Sequence, residues 1–174
     1  MLIAVLSVLF GSVILDQLTK AIVVSQMALY EEVPFLPGLI RFYHTRNTGA
    51  AFSMFSDNRW VFMVFSVIAM MIMTYLLVKF HGRHWLLSVS LAAVLGGGIG
   101  NMIDRTLMGY VVDFVDFRLI NFAVFNVADI FVCVGCGLMF LWLFKFAEFD
   151  DEKKPEKKSA VTESAEESDD ASDR

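Results

Sequence analysis

Four stretches of this chain are long and apolar enough to cross a lipid bilayer, and that property restricts the fold more than any motif does. A helix needs about 20 mostly apolar residues to span the hydrocarbon core. Residues 2–24, 60–78, 85–107 and 124–146 each meet that requirement. Inside lipid every backbone N–H and C=O must be satisfied within the protein, so long apolar runs fold as helices. Each run has an aromatic or charged residue near an end, where interfacial anchors belong. The expected fold is an all-α membrane protein of four transmembrane helices, with both termini on one side.

Charge is segregated along the chain. Residues 148–174 hold 11 of the 19 acids and 5 of the 14 bases, so the formal net charge of −5 belongs to that end. The expected organisation is a four-helix membrane domain over 1–147 followed by an acidic, disordered cytoplasmic tail over 148–174. No basic stripe suggests a nucleic-acid partner. The start, Met1-Leu2-Ile3-Ala4, lacks the basic region of a cleaved leader. Its apolar run continues past Asp16 and Lys20, so it is read as the first span. Lys79 and Arg83 in the short second connection, with Lys145, Lys153, Lys154, Lys157 and Lys158 by the tail, modestly outnumber Arg41, Arg46, Arg59, Arg105 and Arg118 on the other side. This bias places the termini in the cytoplasm.

The first connection carries Pro34, Pro37 and a run of strand formers over 38–44, which predicts a small extracytoplasmic β-sheet over about 30–58, lying on the membrane surface. Cys133 and Cys136 sit in an apolar run and are read as small buried hydrophobes rather than a redox pair. The run Gly96-Gly97-Gly98-Ile99-Gly100 is not followed by Lys-Ser/Thr, so it is no phosphate loop. Small residues there are expected to let neighbouring helices approach closely.

Polar groups inside such a chain are the informative ones, because an ionisable side chain at the centre of a span costs about 2.5–3.5 kcal/mol or more unless paired or hydrated. The candidates are Asp16, Lys20, Asn101, Asp104, Arg105, Asp113, Asp116, Asn126 and Asp129. With alternating helix directions they fall near one membrane face, which predicts one polar site. Asp16 and Lys20, four apart, share a helix face and can pair. Asp104 and Arg105 are adjacent, project differently, and need different partners. Asp113 and Asp129 lie among large apolar neighbours, which disfavour the charged carboxylate. Two carboxyls within reach of each other share one proton, and that is the working arrangement of an aspartyl protease. By spacing alone the pair is any two of Asp104, Asp113, Asp116 and Asp129. In a transporter the same groups would carry protons, but four spans without an internal repeat speak against transport. In a scaffold they would only pin helices. His44, His81 and His84 form no metal-ligand spacing, and no metal is expected.

Taken in order, five blocks resemble the lipoprotein signal peptidase (signal peptidase II) family of bacterial aspartyl membrane peptidases. They are Asp16-Gln17-Leu18-Thr19-Lys20, Asn47-Thr48-Gly49-Ala50-Ala51-Phe52-Ser53, Gly100-Asn101-Met102-Ile103-Asp104-Arg105, Val111-Val112-Asp113-Phe114 and Phe125-Asn126-Val127-Ala128-Asp129. The resemblance implies that Asp113 and Asp129 are the catalytic pair. It implies that Asn47, Asn101, Arg105 and Asn126 hold the pair and the substrate backbone, and that Asp16, Lys20 and Asp104 are structural or positioning residues. The implied substrate is a prolipoprotein carrying diacylglycerol on its cysteine, cut just before that cysteine at the outer face of the bacterial cytoplasmic membrane. A globomycin-type inhibitor would fit the same site, with no cofactor and no oligomer required.

Overall fold

The structure, a computed structural model, describes residues 1–49, 59–82, 84–120 and 122–151. Residues 50–53 of the second family block, Arg83 and most of the expected tail lie outside these residues. Four long helices are described: α1 (Leu2–Gln26), α2 (Arg59–Phe80), α3 (Trp85–Leu107) and α4 (Val127–Asp151). Stretches of each are long and apolar enough to cross a membrane: Leu2–Gln26, Met63–Phe80, Trp85–Leu107 and Val127–Lys145. The chain divides into two compact units, Met1–Met139 and Phe140–Arg174. In the second, the rings of Phe140 and Phe144, one helical turn apart, pack tilted at 57° with centroids 4.5 Å apart.

Within the first unit α3 is the central helix: 56% of its apolar window is buried, against 17% for α1 and 0% for α2. The glycine run explains how. A methyl group on Gly96 would meet Ser12 Oγ at 1.8 Å, and one on Gly97 would meet the Ala128 carbonyl oxygen at 2.4 Å. Only glycine lets α1 and α4 approach α3 this closely, as expected for small residues at membrane helix contacts.

The expected sheet is present, with three antiparallel strands in the order β1 (Glu32–Leu36), β2 (Ile40–Asn47), β3 (Val111–Phe117). Its first two strands come from the first connection; the third comes from the third connection, which the sequence reading did not assign to a strand. The turn from α3 into β3 needs Gly109, whose φ of +81° lies in the left-handed region that favours glycine. Phe114 and Val112 then pack with Val23 at the end of α1, with Phe42 and Val127 around them. This small core fastens the sheet to the helical bundle.

Two expectations need correction. The fourth helix starts at Val127 rather than 124, because Phe125 pairs with Val115 as a β-bridge and Asn126 is the helix cap. Cys133 and Cys136 are exposed on α4 rather than buried, and Cys133 lines the cavity described below.

Candidate active site

The site is built on a buried ion cluster. Asp16, Gln17 and Lys20 project from α1, and Asn101, Asp104 and Arg105 from the last turns of α3. The Lys20 ammonium lies 2.8 Å from Asp16 Oδ2 and 2.9 Å from Asp104 Oδ2. It also donates to Asn101 Oδ1 at 2.9 Å, so all three of its N–H bonds are used. All three charged residues are at most 3% exposed. Such a group is tolerable only when every lone pair and proton is satisfied. That condition is met: Asp16 Oδ1 accepts from the Ala128 backbone N–H at 2.9 Å, and Asp104 Oδ2 from that of Val112 at 3.2 Å. Gln17 Nε2 donates to Asp104 Oδ1 at 2.9 Å and to the Gly100 carbonyl at 3.1 Å. Gly100 leaves room for this, since a Cβ there would lie 2.5 Å from Asp16 Oδ2.

Next to the cluster two carboxylates face one cavity. Asp113, on β3, is 2% exposed. Its oxygens accept from Asn47 Nδ2 at 2.9 Å and Asn126 Nδ2 at 2.6 Å. Asp129 lies in the first turn of α4. Its Oδ1 accepts from Asn101 Nδ2 at 2.8 Å and its Oδ2 from the Asn126 backbone N–H at 3.1 Å. In return Asn126 Oδ1 accepts from the Asp129 backbone N–H at 3.1 Å, which completes a reciprocal capping box at the helix start. Asn126 therefore spans both carboxylates, and its Nδ2 also donates to Asn101 Oδ1 at 3.0 Å.

Burial pushes the Asp113 carboxyl up to about 6, with the charge of Asp129 adding to the rise and the Asn47 and Asn126 amides opposing it. Arg105 donates to the carbonyl oxygens of Asn101 at 3.4 Å and Gly49 at 3.3 Å. Among the described residues no carboxylate is in ion-pair contact with it. The cavity holds about 440 Å³. Its polar wall is Asn47, Asn101, Arg105, Asp113 and Asp129, and its other wall is apolar, with Phe122, Phe125, Ile130 and Val134.

Of the four carboxylates left open by spacing, two are drawn elsewhere. Asp104 belongs to the Lys20 cluster, and Asp116 accepts from Arg41 Nε at 2.5 Å across the sheet, where Arg41 also pairs with Glu32. Asp113 and Asp129 remain in the cavity. Gln17 was not singled out by sequence reasoning outside its family block; an amide beside Asp16 within a span was the available signal.

The family model for signal peptidase (SPase) II matches residues 8–145. The chain belongs to that family. A lipoprotein signal peptidase of Symbiobacterium thermophilum is 46% identical over 134 residues, covering 76% of this chain and 88% of the relative. One from Brevibacillus brevis is 38% identical over 130 residues, covering 75% and 87%. A bacterial membrane enzyme solved by the in meso method at 2.3 Å resolution superposes with a TM-score of 0.73 at 30% identity, covering 87% of this chain and 93% of that one. Membership in the signal peptidase II family makes the chain a peptidase, and its four bilayer-length helices make it a multi-pass membrane protein.

Proposed function

We propose that this signal peptidase is an aspartyl endopeptidase with Asp113 and Asp129 as its catalytic pair. It removes the signal peptide from diacylglyceryl-modified prolipoproteins by cutting just before the lipidated cysteine. The observation that carries the reading is the convergence of these two carboxylates, bridged by Asn126, on one cavity. Asp113, raised by burial to about 6, supplies the catalytic proton. Asp129, which accepts two N–H groups, is the carboxylate. Asp129 takes a proton from water as the water oxygen attacks the scissile carbonyl, while the Asp113 O–H gives its proton to the carbonyl oxygen. The tetrahedral diol then collapses: the C–N bond breaks, Asp129 passes its proton to the leaving nitrogen, and a diol hydroxyl returns a proton to Asp113.

Asn47, Asn101 and Asn126 fix the two carboxylates, and Arg105, with its guanidinium on the cavity wall, is placed to meet a substrate carbonyl. The apolar wall of Phe122, Ile130 and Val134 suits the apolar residues ahead of the cleavage point. Such a substrate arrives within the bilayer, so the working site lies toward the outer face of the bacterial cytoplasmic membrane, with both termini inside. A globomycin-type peptide would compete for the same cavity. One chain holds every residue invoked, so a monomer suffices.

The test uses purified protein in detergent with a diacylglyceryl-modified precursor beside the unmodified one. Cleavage confined to the lipidated precursor, and lost in folded Asp113→Asn and Asp129→Asn, is the expected result. Cleavage retained by either variant would remove the dyad.

A further inference from the structure

We propose that Lys20 is a positioning residue for catalysis, acting on Asp129 through the side-chain amide of Asn101. The inference rests on the dyad reading above and goes beyond the structural-or-positioning choice left open for Lys20 by naming the amide through which it acts on Asp129. Lys20 Nζ donates to Asn101 Oδ1 at 2.9 Å, and the same amide's Nδ2 donates to Asp129 Oδ1 at 2.8 Å. An Asn side chain presents an acceptor on one side and donors on the other, so its orientation decides what its neighbours receive. Turned by 180°, the Asn101 amide would set its oxygen against Asp129 Oδ1. Its NH2 would then face the Lys20 ammonium and Asn126 Nδ2, donor against donor. The ammonium is the charged member of that pair of locks, and charge-assisted hydrogen bonds are about twice as strong as neutral ones.

The ammonium is itself immobilised. Asp16 and Asp104 hold its other two protons, and neither is more than 1% exposed. Asp16 also accepts from the Ala128 N–H, in the first turn of the helix that carries Asp129. Asp129 is thus fixed twice by one cluster, through the Asn101 amide and through its own helix start. Neutralising the two acids does not require so many linked contacts. A lysine chosen only to balance Asp16 would not need its third proton on the residue that donates to the catalytic carboxylate.

The decisive experiment is a double-mutant cycle on kcat in detergent with the lipidated precursor, using wild type, Lys20→Met, Asn101→Ala and the two combined. Lys20→Met is expected to lower kcat by about 10–100-fold, the range found for residues that orient metal ligands through a hydrogen bond, with KM within about twofold of wild type. In the Asn101→Ala background it should cause no further loss. Equal losses in both backgrounds, or a loss carried by KM, would overturn the proposal. Because Lys20→Met strands two buried carboxylates, the triple variant Asp16→Asn/Lys20→Met/Asp104→Asn removes the three charges together while keeping their shapes. It should show the same kcat loss in folded protein; full activity would overturn the role of Lys20. Asp129→Asn in the same assay separates the two levels. An inactive Asp129→Asn with additive Lys20 and Asn101 losses overturns Lys20 alone, whereas an active one overturns the dyad and Lys20 with it.

Discussion

Asp113 carries a cost that the folded protein bears for its chemistry, and pH exposes it. Burial pushes its carboxyl from 3.8 up to about 6, while in the unfolded chain it titrates near its ordinary value. Between these two values the folded chain holds a proton that the unfolded chain has released, so stability falls as pH rises. Below about pH 4 the cost is absent; above about pH 6 it is complete. At about 1.36 kcal/mol for each tenfold change in proton affinity, that rise amounts to roughly 3 kcal/mol. Asp113→Asn carries no such cost. Its stability relative to wild type should therefore improve by about 3 kcal/mol between pH 4 and pH 8. Contributions independent of pH, such as an amide hydrogen set against Asn126 Nδ2, cancel in that difference. Thermal unfolding in detergent at pH 4, 6 and 8 measures it, and at about 2–4 °C per kcal/mol the change is readable. A stability difference between variant and wild type that does not change in favour of the variant across that range would show that Asp113 bears no such cost.

Four further outcomes are expected. The kcat/KM of the wild type should fall as pH rises through about 6, because in the proposed mechanism Asp113 then lacks the proton for the carbonyl oxygen; a profile still rising at pH 8 would contradict this. Gly100→Ala sets a Cβ 2.5 Å from Asp16 Oδ2 and should lower the melting temperature by an amount worth about 1–3 kcal/mol. Gly11→Ala, with nothing within 4 Å of its Cβ, is the control and should not destabilise. Asn126→Ser keeps the helix cap but drops the bridge to Asp113, so activity should fall with a smaller loss of melting temperature than Asn126→Ala shows. Asn126→Ala loses both, at about 0.5–2 kcal/mol for the cap. A chain truncated after Asp151 should retain its activity in detergent, since every residue of the proposed site precedes that point; a large loss would give the acidic tail a role in catalysis.

Hydropathy made the four spans legible because lipid demands length and apolarity before anything else. The same measure could not see where the fourth helix begins. Val124 and Phe125 are as apolar as the helix that follows, and only the pairing of Phe125 with β3 sets this stretch apart. β3 itself escaped because four consecutive residues, Val111, Val112, Asp113 and Phe114, are buried. A strand covered on both faces shows no alternation to detect. The site's membership was readable from the cost of polar groups in lipid, and the Asp16–Lys20 pair from helical spacing. The choice among four aspartates was not readable from spacing and came from the family resemblance alone. Asp113 and Asp116 are three apart, which on a strand sends them to opposite faces. Without knowing that 111–117 is a strand, nothing separates the residue in the cavity from the one paired to Arg41.

The i,i+4 pair on α1 also bears on how the protein is assembled. Lys20 ends in contact with Asp104 and Asn101, and Asp16 with Ala128, partners that are synthesised some 80 to 112 residues later. When α1 enters the bilayer none of them exists. A lone ammonium or carboxylate would then resist insertion, but Asp16 and Lys20 already answer each other at 2.8 Å on one helix face. The first helix can therefore enter lipid by itself, carrying a prepaired dipole that later helices take over as they arrive. If Asp129 is catalytic as proposed, cleavage requires α4 to have docked its first turn against Asp16, so a chain that ends before α4 should be inert.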